Sequence, residues 1–380
     1  MATKTLLYEH HVALGGRMVE FAGWVLPVQY PQGPNAEHQT VRQTAGLFDI
    51  DHMGQVLVSG PDALGFLNRV MTADVSRFAV GTAHYALMCY ADGGVVDDTF
   101  IYRLDANRYL IAINASNNTK DTRWLNYHKL PSEKVVVENV SESTYMLSLQ
   151  GPRALDVLAP LVEADLTGLK FHRSVETLFR ATPPVRIVIG RTGYTGEDGF
   201  EMFFPAERAV EVWDTLMEAG KPHGLAPIGL AARDSLRFEP CMPLYGQEIS
   251  PTINPIEAGL GFGCALDKDS FVGREALLKV QLEGPARQLV GFEMLQGGVA
   301  RHGYPVVIDG AVCGEVTSGM YSPTLDKLLG LAYIPSDRVT VGGEIGIQIR
   351  DKVKLARIVA RPFYQPSYRK PAPAKRASAS

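Results

Sequence analysis

The order of apolar and polar positions repeats in the first half of the chain. Met53–Ser59 is rich in Val and Leu and predicts a strand, Gly60-Pro61 ends it, and apolar residues then recur at helical spacing. Tyr145–Gln150, Gly151-Pro152 and a second helical stripe follow in the same order. The pattern predicts two α+β modules of related build.

A meander of strands is predicted after the first of these units. His84–Tyr90, Val95–Arg103 and Tyr109–Ile113 read as strands, and the Asp-Gly pair between the first two is a strong hairpin signal. Asn117–Lys129 predicts the helix that follows.

The second unit continues with another predicted strand pair, Val185–Gly190 and Gly199–Phe204, which the loop Arg191–Asp198 joins. Pro205 opens a predicted helix that runs to Gly220. A further helix is predicted from about Ile228 to Phe238, because a proline follows shortly after.

From Gln288 onward, short β-rich runs alternate with Gly-containing turns, and no helix of normal length fits. These runs are Leu289–Glu293, Pro305–Ile308, Ile345–Ile349 and Ala356–Ala360. The pattern predicts a small β-barrel or sandwich, with Glu283-Gly284-Pro285 as the linker before it. The predicted fold class is α+β with a β-rich C-terminal domain.

Composition and charge exclude several classes of protein. The net charge of the 380 residues is −4, and residues 369–380 hold four bases and no acid, so the rest is more acidic still. This argues against a nucleic-acid binder. The tail is expected to be disordered. Four scattered cysteines indicate a reducing, cytoplasmic setting, and neither metal-ligand spacing nor a membrane-spanning apolar run is present in the sequence.

Two adjacent acids in an apolar strand form the first candidate site. Asp is depleted in strand interiors, so Asp97 and Asp98 need an explanation. Because side chains alternate across a strand, at most one of the two is expected to face a given pocket. Either both lie at an edge or pair with local bases, or one is a carboxylate held in a cleft for proton transfer.

A glycine-rich loop forms the second candidate, with glycines at positions 193, 196 and 199. It is either flexible or shaped so that its backbone approaches a ligand closely. Glu201, which follows it, could accept two parallel hydrogen bonds from the planar edge of a pterin ring. Arg233 and Arg237 form the third candidate, since they share a helix face. They either make internal ion pairs or bind an anionic ligand group.

Composition and spacing indicate a small-molecule site but no reaction. A series of short runs in one order over nearly the whole chain goes further. They are Leu7–His10, Gly16–Trp24, Pro27–Tyr30, Gly46–Met53, Gly93–Asp98, Gly193–Glu197, Ala231–Arg237, Leu244–Glu248, Thr317–Gly319, Ser322–Leu325 and Pro362-Phe363. Together they resemble the glycine cleavage T-protein family.

The resemblance implies a three-domain cloverleaf of ferredoxin-like α+β modules and a C-terminal β-barrel or sandwich, with folate in the central opening. The expected domains are a discontinuous folate-binding domain of residues 1–52 and 140–282, a second domain of residues 53–139, and the β-rich domain of residues 286–368.

The resemblance also implies an enzyme of glycine catabolism and one-carbon metabolism. Such an aminomethyltransferase takes the aminomethyl group carried on the lipoyl arm of the H-protein. Tetrahydrofolate, the co-substrate, accepts the methylene, and ammonia is released. No metal and no covalent enzyme nucleophile are expected.

Motif by motif, the resemblance assigns roles to single residues. Asp97 would be the essential carboxylate beside the folate nitrogens, Glu201 would hold the pterin edge, and Arg233 would contact ligand near the lipoyl entrance. The remaining implied folate-site residues are Met53, Tyr85, Tyr102, Asn114, Tyr194 and Tyr368.

Two positions depart from the family pattern. Phe262 stands where the family often has Trp, and Glu239-Pro240-Cys241-Met242 replaces the more usual Glu-Ala-Gly-Met. Two alternatives stay open: a related folate-dependent demethylase or methyltransferase, and a non-enzymatic folate-binding factor of iron–sulfur assembly. The latter carries a Cys that the run Pro243–Glu248 lacks.

Overall fold

The structure is a computed structural model that describes residues 2–368. The predicted disordered tail, residues 369–380, lies outside the described residues. The N-terminal segment holds β1 (Thr3–Lys4), α1 (Tyr8–Ala13), β2 (Arg17–Phe21), β3 (Trp24–Gln29), α2 (Pro34–Gln43) and β4 (Ala45–Asp49). Next come β5 (Gly54–Ser59), α3 (Ala63–Val70), β6 (Thr82–Cys89), β7 (Val95–Asp105), β8 (Arg108–Ile113), α4 (Asn118–Tyr127) and β9 (Val136–Asn139).

The second half continues in the same way. It contains β10 (Thr144–Gln150), α5 (Ala154–Leu158), β11 (Ser174–Phe179), β12 (Val185–Gly190), β13 (Gly199–Pro205), α6 (Ala209–Gly220), β14 (Leu225–Pro227) and α7 (Leu230–Phe238). The last elements are α8 (Arg274–Glu283), β15 (Arg287–Met294), β16 (Pro305–Ile308), β17 (Ala311–Ser322), β18 (Lys327–Pro335), β19 (Glu344–Ile349) and β20 (Lys352–Val359).

The strands form four sheets. A five-stranded sheet has the order β6-β7-β8-β5-β9, a six-stranded sheet the order β11-β12-β13-β10-β4-β14, and a small N-terminal sheet the order β1-β3-β2. Strands β15-β18-β17-β16-β19-β20 close into a barrel. The predicted α+β class and the C-terminal barrel are confirmed. Within residues 2–368, no helix combines the length and the apolar character that crossing a membrane requires.

The two α+β modules share their order of elements. In each, a strand, a helix, a three-stranded meander and a second helix follow one another, and the first strand pairs with the last strand of the meander. Gly60 and Gly151 occupy matching positions with φ of 120° and 124°. A Cβ at Gly60 would lie 2.3 Å from Lys134 O, and one at Gly151 would lie 2.5 Å from Thr44 O. Both turns therefore require glycine.

Several elements differ from those predicted. α6 begins at Ala209 rather than Pro205, because residues 206–208 form a 3₁₀ turn. α8 and the strands β11, β17 and β18 were not predicted from the sequence. In β17, the pairing register shifts between Val316 and Ser318, and this bulge breaks the alternation that would have revealed the strand.

The two large sheets pack against each other through one apolar cluster. Phe48, Met146 and Phe203 contribute from the six-stranded sheet, and Tyr102 and Leu110 contribute from the five-stranded sheet. All five side chains are buried, and burial of each large apolar side chain contributes roughly 1.5–3 kcal/mol. The packing brings the ring of Tyr102 within reach of the opposite sheet.

A buried ionic network ties α2 to the loop before β13, to the end of α7 and to the barrel. Arg42 lies 2.9 Å from Glu197 Oε1 and 2.7 Å from Glu239 Oε2. The hydroxyl of Ser322, in β17, donates to Glu239 Oε1 at 2.5 Å. Burial alone would raise the pKa of Glu239, but the hydrogen bond with His38 and the charge of Arg42 outweigh it and lower the pKa to about 2. The carboxylate is therefore ionised at neutral pH.

We expect Arg42→Ala to lower the free energy of unfolding by about 3–5 kcal/mol, because it leaves two buried carboxylates without their cation. Denaturant titration followed by circular dichroism measures the loss. Arg338→Ala is the control: its partner Asp309 is 74% exposed and Arg338 itself 50%, so the loss should be below about 1 kcal/mol. Equal losses in the two variants would contradict a structural role for the network.

Candidate functional site

Asp97 has no exposed surface and is held by three N–H donors. Its Oδ2 accepts from the backbone N–H of Asn114 at 3.0 Å. Its Oδ1 accepts from the side-chain amides of Asn114 at 2.9 Å and Asn117 at 2.7 Å. Both asparagines lie in the turn between β8 and α4. Donors of this kind stabilise the charged form of a carboxylate.

Asp98 shares the Asn114 amide with Asp97, but its other partner comes from a different element. The Nδ2 of Asn114 also donates to Asp98 Oδ1 at 2.7 Å, and the hydroxyl of Tyr85 donates to Asp98 Oδ2 at 3.1 Å. The bulge at Val96 precedes both acids, and Asp97 and Asp98 pair regularly with Met88 and Leu87, so their side chains alternate along the strand as predicted. Burial and the charge of Asp97 raise the pKa of Asp98 to about 7.

Glu201 lies in β13 and is 8% exposed. One of its carboxylate oxygens accepts hydrogen bonds from two hydroxyl groups. Oε2 accepts from Tyr102 at 2.7 Å and from Thr192 at 2.6 Å. Tyr102 belongs to β7, so this bond joins the two sheets. Among residues 2–368, no hydrogen-bond donor reaches Oε1. The structure therefore leaves one carboxylate oxygen available to a ligand.

The glycines of the loop before Glu201 make room for a protein side chain. A Cβ at Gly193 would lie 2.0 Å from Gln150 Oε1, and one at Gly199 would lie 2.6 Å from Gln150 Cδ. Gln150 is buried, donates to the carbonyl of Thr192 at 3.0 Å and accepts from the hydroxyl of Thr195 at 2.9 Å. The loop is shaped, as one reading predicted, but Gln150 and not a ligand occupies the space beside these two glycines.

The two arginines of α7 have different roles. Arg237 is buried and makes ion pairs with Glu248 and Asp234, both at 2.8 Å. It therefore follows the internal ion-pair reading. Arg233 lies with its guanidinium carbon 4.9 Å from the centre of the Tyr194 ring.

Arg233, unlike Arg237, has no ionic partner among the described residues. Its guanidinium makes neither an ion pair nor a hydrogen bond with any residue that the structure describes. Burial lowers the pKa of Arg233, while the nearby Tyr194 and Glu201 partly offset this effect. A partly buried guanidinium without a protein partner favours an anionic ligand group.

His52, which sequence reasoning did not select, lies beside Arg233. It is 3% exposed, and no described residue hydrogen-bonds to its Nδ1. Burial, and then the charge of Arg233, lower the pKa of His52 to about 3. The imidazole is neutral at physiological pH and can hydrogen-bond to a ligand.

Two tyrosines, Tyr85 and Tyr194, lie near Asp98. Burial, Asp98 and then Tyr194 raise the pKa of Tyr85, so the two tyrosines and the acid share one electrostatic environment. The hydroxyl of Tyr194 donates to the carbonyl of Pro243. Phe262 stacks on Tyr85 with ring centres 5.8 Å apart and is 76% exposed. The replacement of Trp by Phe at this position keeps a stacked ring but removes an N–H donor.

Met53 and Tyr368 lie at the margins of this region. Met53 packs, half-buried, against the apolar cluster between the two sheets. The hydroxyl of Tyr368 accepts from the backbone N–H of Asp198 at 3.0 Å and donates to Glu197. Tyr368 therefore holds the end of the loop before β13.

The departure at residues 239–242 ends α7. Cys241 has φ of 58°, its N–H bonds to the carbonyl of Phe238 at 2.9 Å, and Met242 N–H bonds to that of Arg237 at 3.0 Å. This is a Schellman turn, in which glycine is the usual residue at the position that Cys241 occupies. The turn is thus preserved, with a side chain in the left-handed region.

Asn117, Asp121 and Gln150 contact the site and were missed by sequence reasoning. Asn114, Asn117 and Asp121 are three and four residues apart, a spacing that places polar groups on one side of a helix start. That polar stripe was a usable signal. Gln150 carried no local signal, because its partners lie 42 and 45 residues away in the chain.

The chain is similar to known proteins over nearly its whole length. Two family models match the chain: the GCVT N-terminal domain over residues 7–268, and the glycine cleavage T-protein C-terminal barrel domain over residues 287–365. The crystal structure of glycine cleavage system aminomethyltransferase T from Bartonella henselae is 32% identical, has a TM-score of 0.89, and is matched over 96% of this chain and 99% of that one.

Two proteins named aminomethyltransferase are similar over nearly their whole length. The protein of Symbiobacterium thermophilum is 47% identical over 97% of this chain and 98% of its own. That of Desulforamulus reducens is 46% identical over 95% and 98%.

The fold and the matched relatives define a transferase of folate-dependent one-carbon chemistry. The chain belongs to the glycine cleavage T-protein family. Its activity is that of the aminomethyltransferase of the glycine cleavage system, and enzymes of this family use tetrahydrofolate as a substrate. Neither the demethylase nor the iron–sulfur assembly alternative is favoured by these matches.

We expect Gly193→Ala to displace Gln150 and to lower the free energy of unfolding by about 1–3 kcal/mol, the usual effect of overpacking. Gly65→Ala is the matched control, because its Cβ would meet nothing within 4 Å in the middle of α3, and it should raise that free energy by up to about 1 kcal/mol. Thermal or denaturant unfolding compares the two. Unchanged stability of the Gly193 variant would contradict the tight fit of Gln150.

Proposed function

We propose that Asp97, Glu201 and Arg233 form the site where the methylene group of aminomethylated H-protein passes to tetrahydrofolate with release of ammonia. The observation that carries this proposal is the buried Asp97 carboxyl group, which accepts hydrogen bonds from three N–H donors. A fixed negative charge in a place without water stabilises positive charge that develops on a reacting group.

Glu201 and Arg233 offer a ligand two different kinds of contact. The open Oε1 of Glu201 can accept from the amino group or the ring N–H of a pterin, while Tyr102 and Thr192 fix the carboxylate through Oε2. The unpaired guanidinium of Arg233 suits an anionic group of the ligand. When bound, tetrahydrofolate supplies the nucleophilic amine.

Asp97 and Asp98 have different roles in the proposed reaction. Asp97 supplies a fixed negative charge beside the reacting nitrogens. Asp98, with a pKa raised to about 7 by burial and by Asp97, can hold or release a proton near neutral pH. Tyr85 hydrogen-bonds to Asp98 and fixes the position of that carboxyl group.

The donor of the aminomethyl group is the lipoylated H-protein of the same system, and the setting is the cytoplasm. The four cysteines are free in the described structure, which suits a reducing compartment. The expected domain limits, residues 1–52 with 140–282, 53–139 and 286–368, form part of the same proposal.

We expect Asp97→Asn to keep the fold and folate binding but to lower kcat by roughly 10²–10⁴-fold, because the shape survives while the charge is lost. Formation of methylene-tetrahydrofolate from aminomethylated H-protein, with and without tetrahydrofolate, measures the loss. Asp105→Asn serves as the control, since Asp105 lies in the same strand with its side chain 55% exposed. Wild-type rates in the Asp97 variant would remove this residue from its role.

We expect Glu201→Ala to weaken tetrahydrofolate binding by about 10–100-fold, the effect of losing a charge-assisted hydrogen bond. Titration calorimetry gives the dissociation constants. Glu207→Ala, an exposed glutamate shortly after β13, should bind folate like the wild type. An unchanged dissociation constant in the Glu201 variant would count against the pterin contact.

A further inference from the structure

A second carboxyl group lies beside Asp97 and has no part in the proposed chemistry. Asp121, in the first turn of α4, has no exposed surface. Lys120 Nζ lies 3.0 Å from its Oδ1 and also donates to the carbonyl of Val96. Within residues 2–368, neither oxygen of Asp121 accepts a hydrogen bond of good geometry. A carboxylate in such a place lacks the donors that its charge requires.

Two adjacent buried carboxyl groups do not ionise together. Three N–H groups donate to Asp97, whereas neither oxygen of Asp121 accepts a hydrogen bond within residues 2–368, so this arrangement stabilises a negative charge on Asp97 better than on Asp121. A proton on Asp121 turns that group into a hydrogen-bond donor toward Asp97. Burial and the charge of Asp97, with the hydrogen bond between the two carboxyl groups, raise the pKa of Asp121 to about 10, although Lys120 partly opposes this shift.

Other groups that titrate face the pair from each neighbouring element. Asp98 lies on β7, Tyr85 on β6, and Tyr245 in the segment after α7. Burial, followed by nearby carboxylates, raises the pKa of both tyrosines, so both are neutral at pH 7. Lys120 is the neighbouring cation, and its Nζ lies 4.9 Å from the centre of the Tyr245 ring.

We propose that Asp121 is a positioning residue that carries a proton at neutral pH and donates a fourth hydrogen bond to Asp97. The proposal rests on the proposed role of Asp97. A carboxylate offers about four acceptor sites, so four donors leave it no free lone pair. Asp97 then acts through its fixed charge and does not take a proton from the substrate.

Two substitutions separate this role from a merely structural one. Asp121→Asn keeps an N–H donor and the neutral state, so kcat should stay within about 3-fold of wild type and the pH profile should not move. Asp121→Ala removes the donor and should lower kcat by about 10–100-fold with a smaller change in KM. If Asp121 were ionised, Asp121→Asn would remove a charge and shift the acidic limb of kcat/KM against pH, and that shift would overturn the proposal.

An infrared measurement on the unliganded enzyme tests the proton directly and does not require that the alanine variant folds. The wild-type minus Asp121→Asn difference spectrum at pH 7 should contain the carbonyl band of a protonated carboxylic acid. Asp156→Asn is the control, because that acid is 48% exposed in α5 and should give no such band. A spectrum without the band overturns the proposal for Asp121 and leaves the role of Asp97 untouched, whereas active Asp97→Asn with the band present refutes only the proposed function.

Discussion

A carboxylate without contact to water persists only where N–H groups replace the solvent, and Asp97 depends wholly on this condition. Its donors come from Asn114 and Asn117, in the turn between β8 and α4, so they are in place only when that turn is formed. The same Asn114 amide also donates to Asp98, so one turn holds both acids.

The rest of the site depends on the packing of two similar modules. The five-stranded sheet supplies Asp97, the six-stranded sheet supplies Glu201, and α7 supplies Arg233. Tyr102 crosses between the sheets and fixes Glu201 on the far side. The barrel is bound to this assembly through Glu239 and Ser322, which share the network of Arg42. No single module could place all the groups that a folate requires.

Local pattern was enough to predict most of the strands that carry the site, because periodicity and turn residues act over a few positions. The meander around Asp97 and the hairpin around Glu201 were found in this way. The roles of Asp97, Glu201 and Arg233 came from family resemblance, since spacing alone treated Arg233 and Arg237 alike. The structure separates them, because Arg237 is paired with Glu248.

What the sequence could not reveal depends on contacts between distant positions. Gln150 explains the glycines at positions 193 and 199, yet it lies more than 40 residues from them in the chain. The bulge in β17 hid a long strand by breaking its alternation.

A crystal structure with a bound reduced folate tests the central claim most directly. We predict that the pterin N–H edge lies about 3 Å from the open oxygen of Glu201, with the reactive amines on the side of Asp97 and an anionic ligand group at Arg233. A pterin bound elsewhere, or amines that face away from the Asp97 carboxylate, would contradict it.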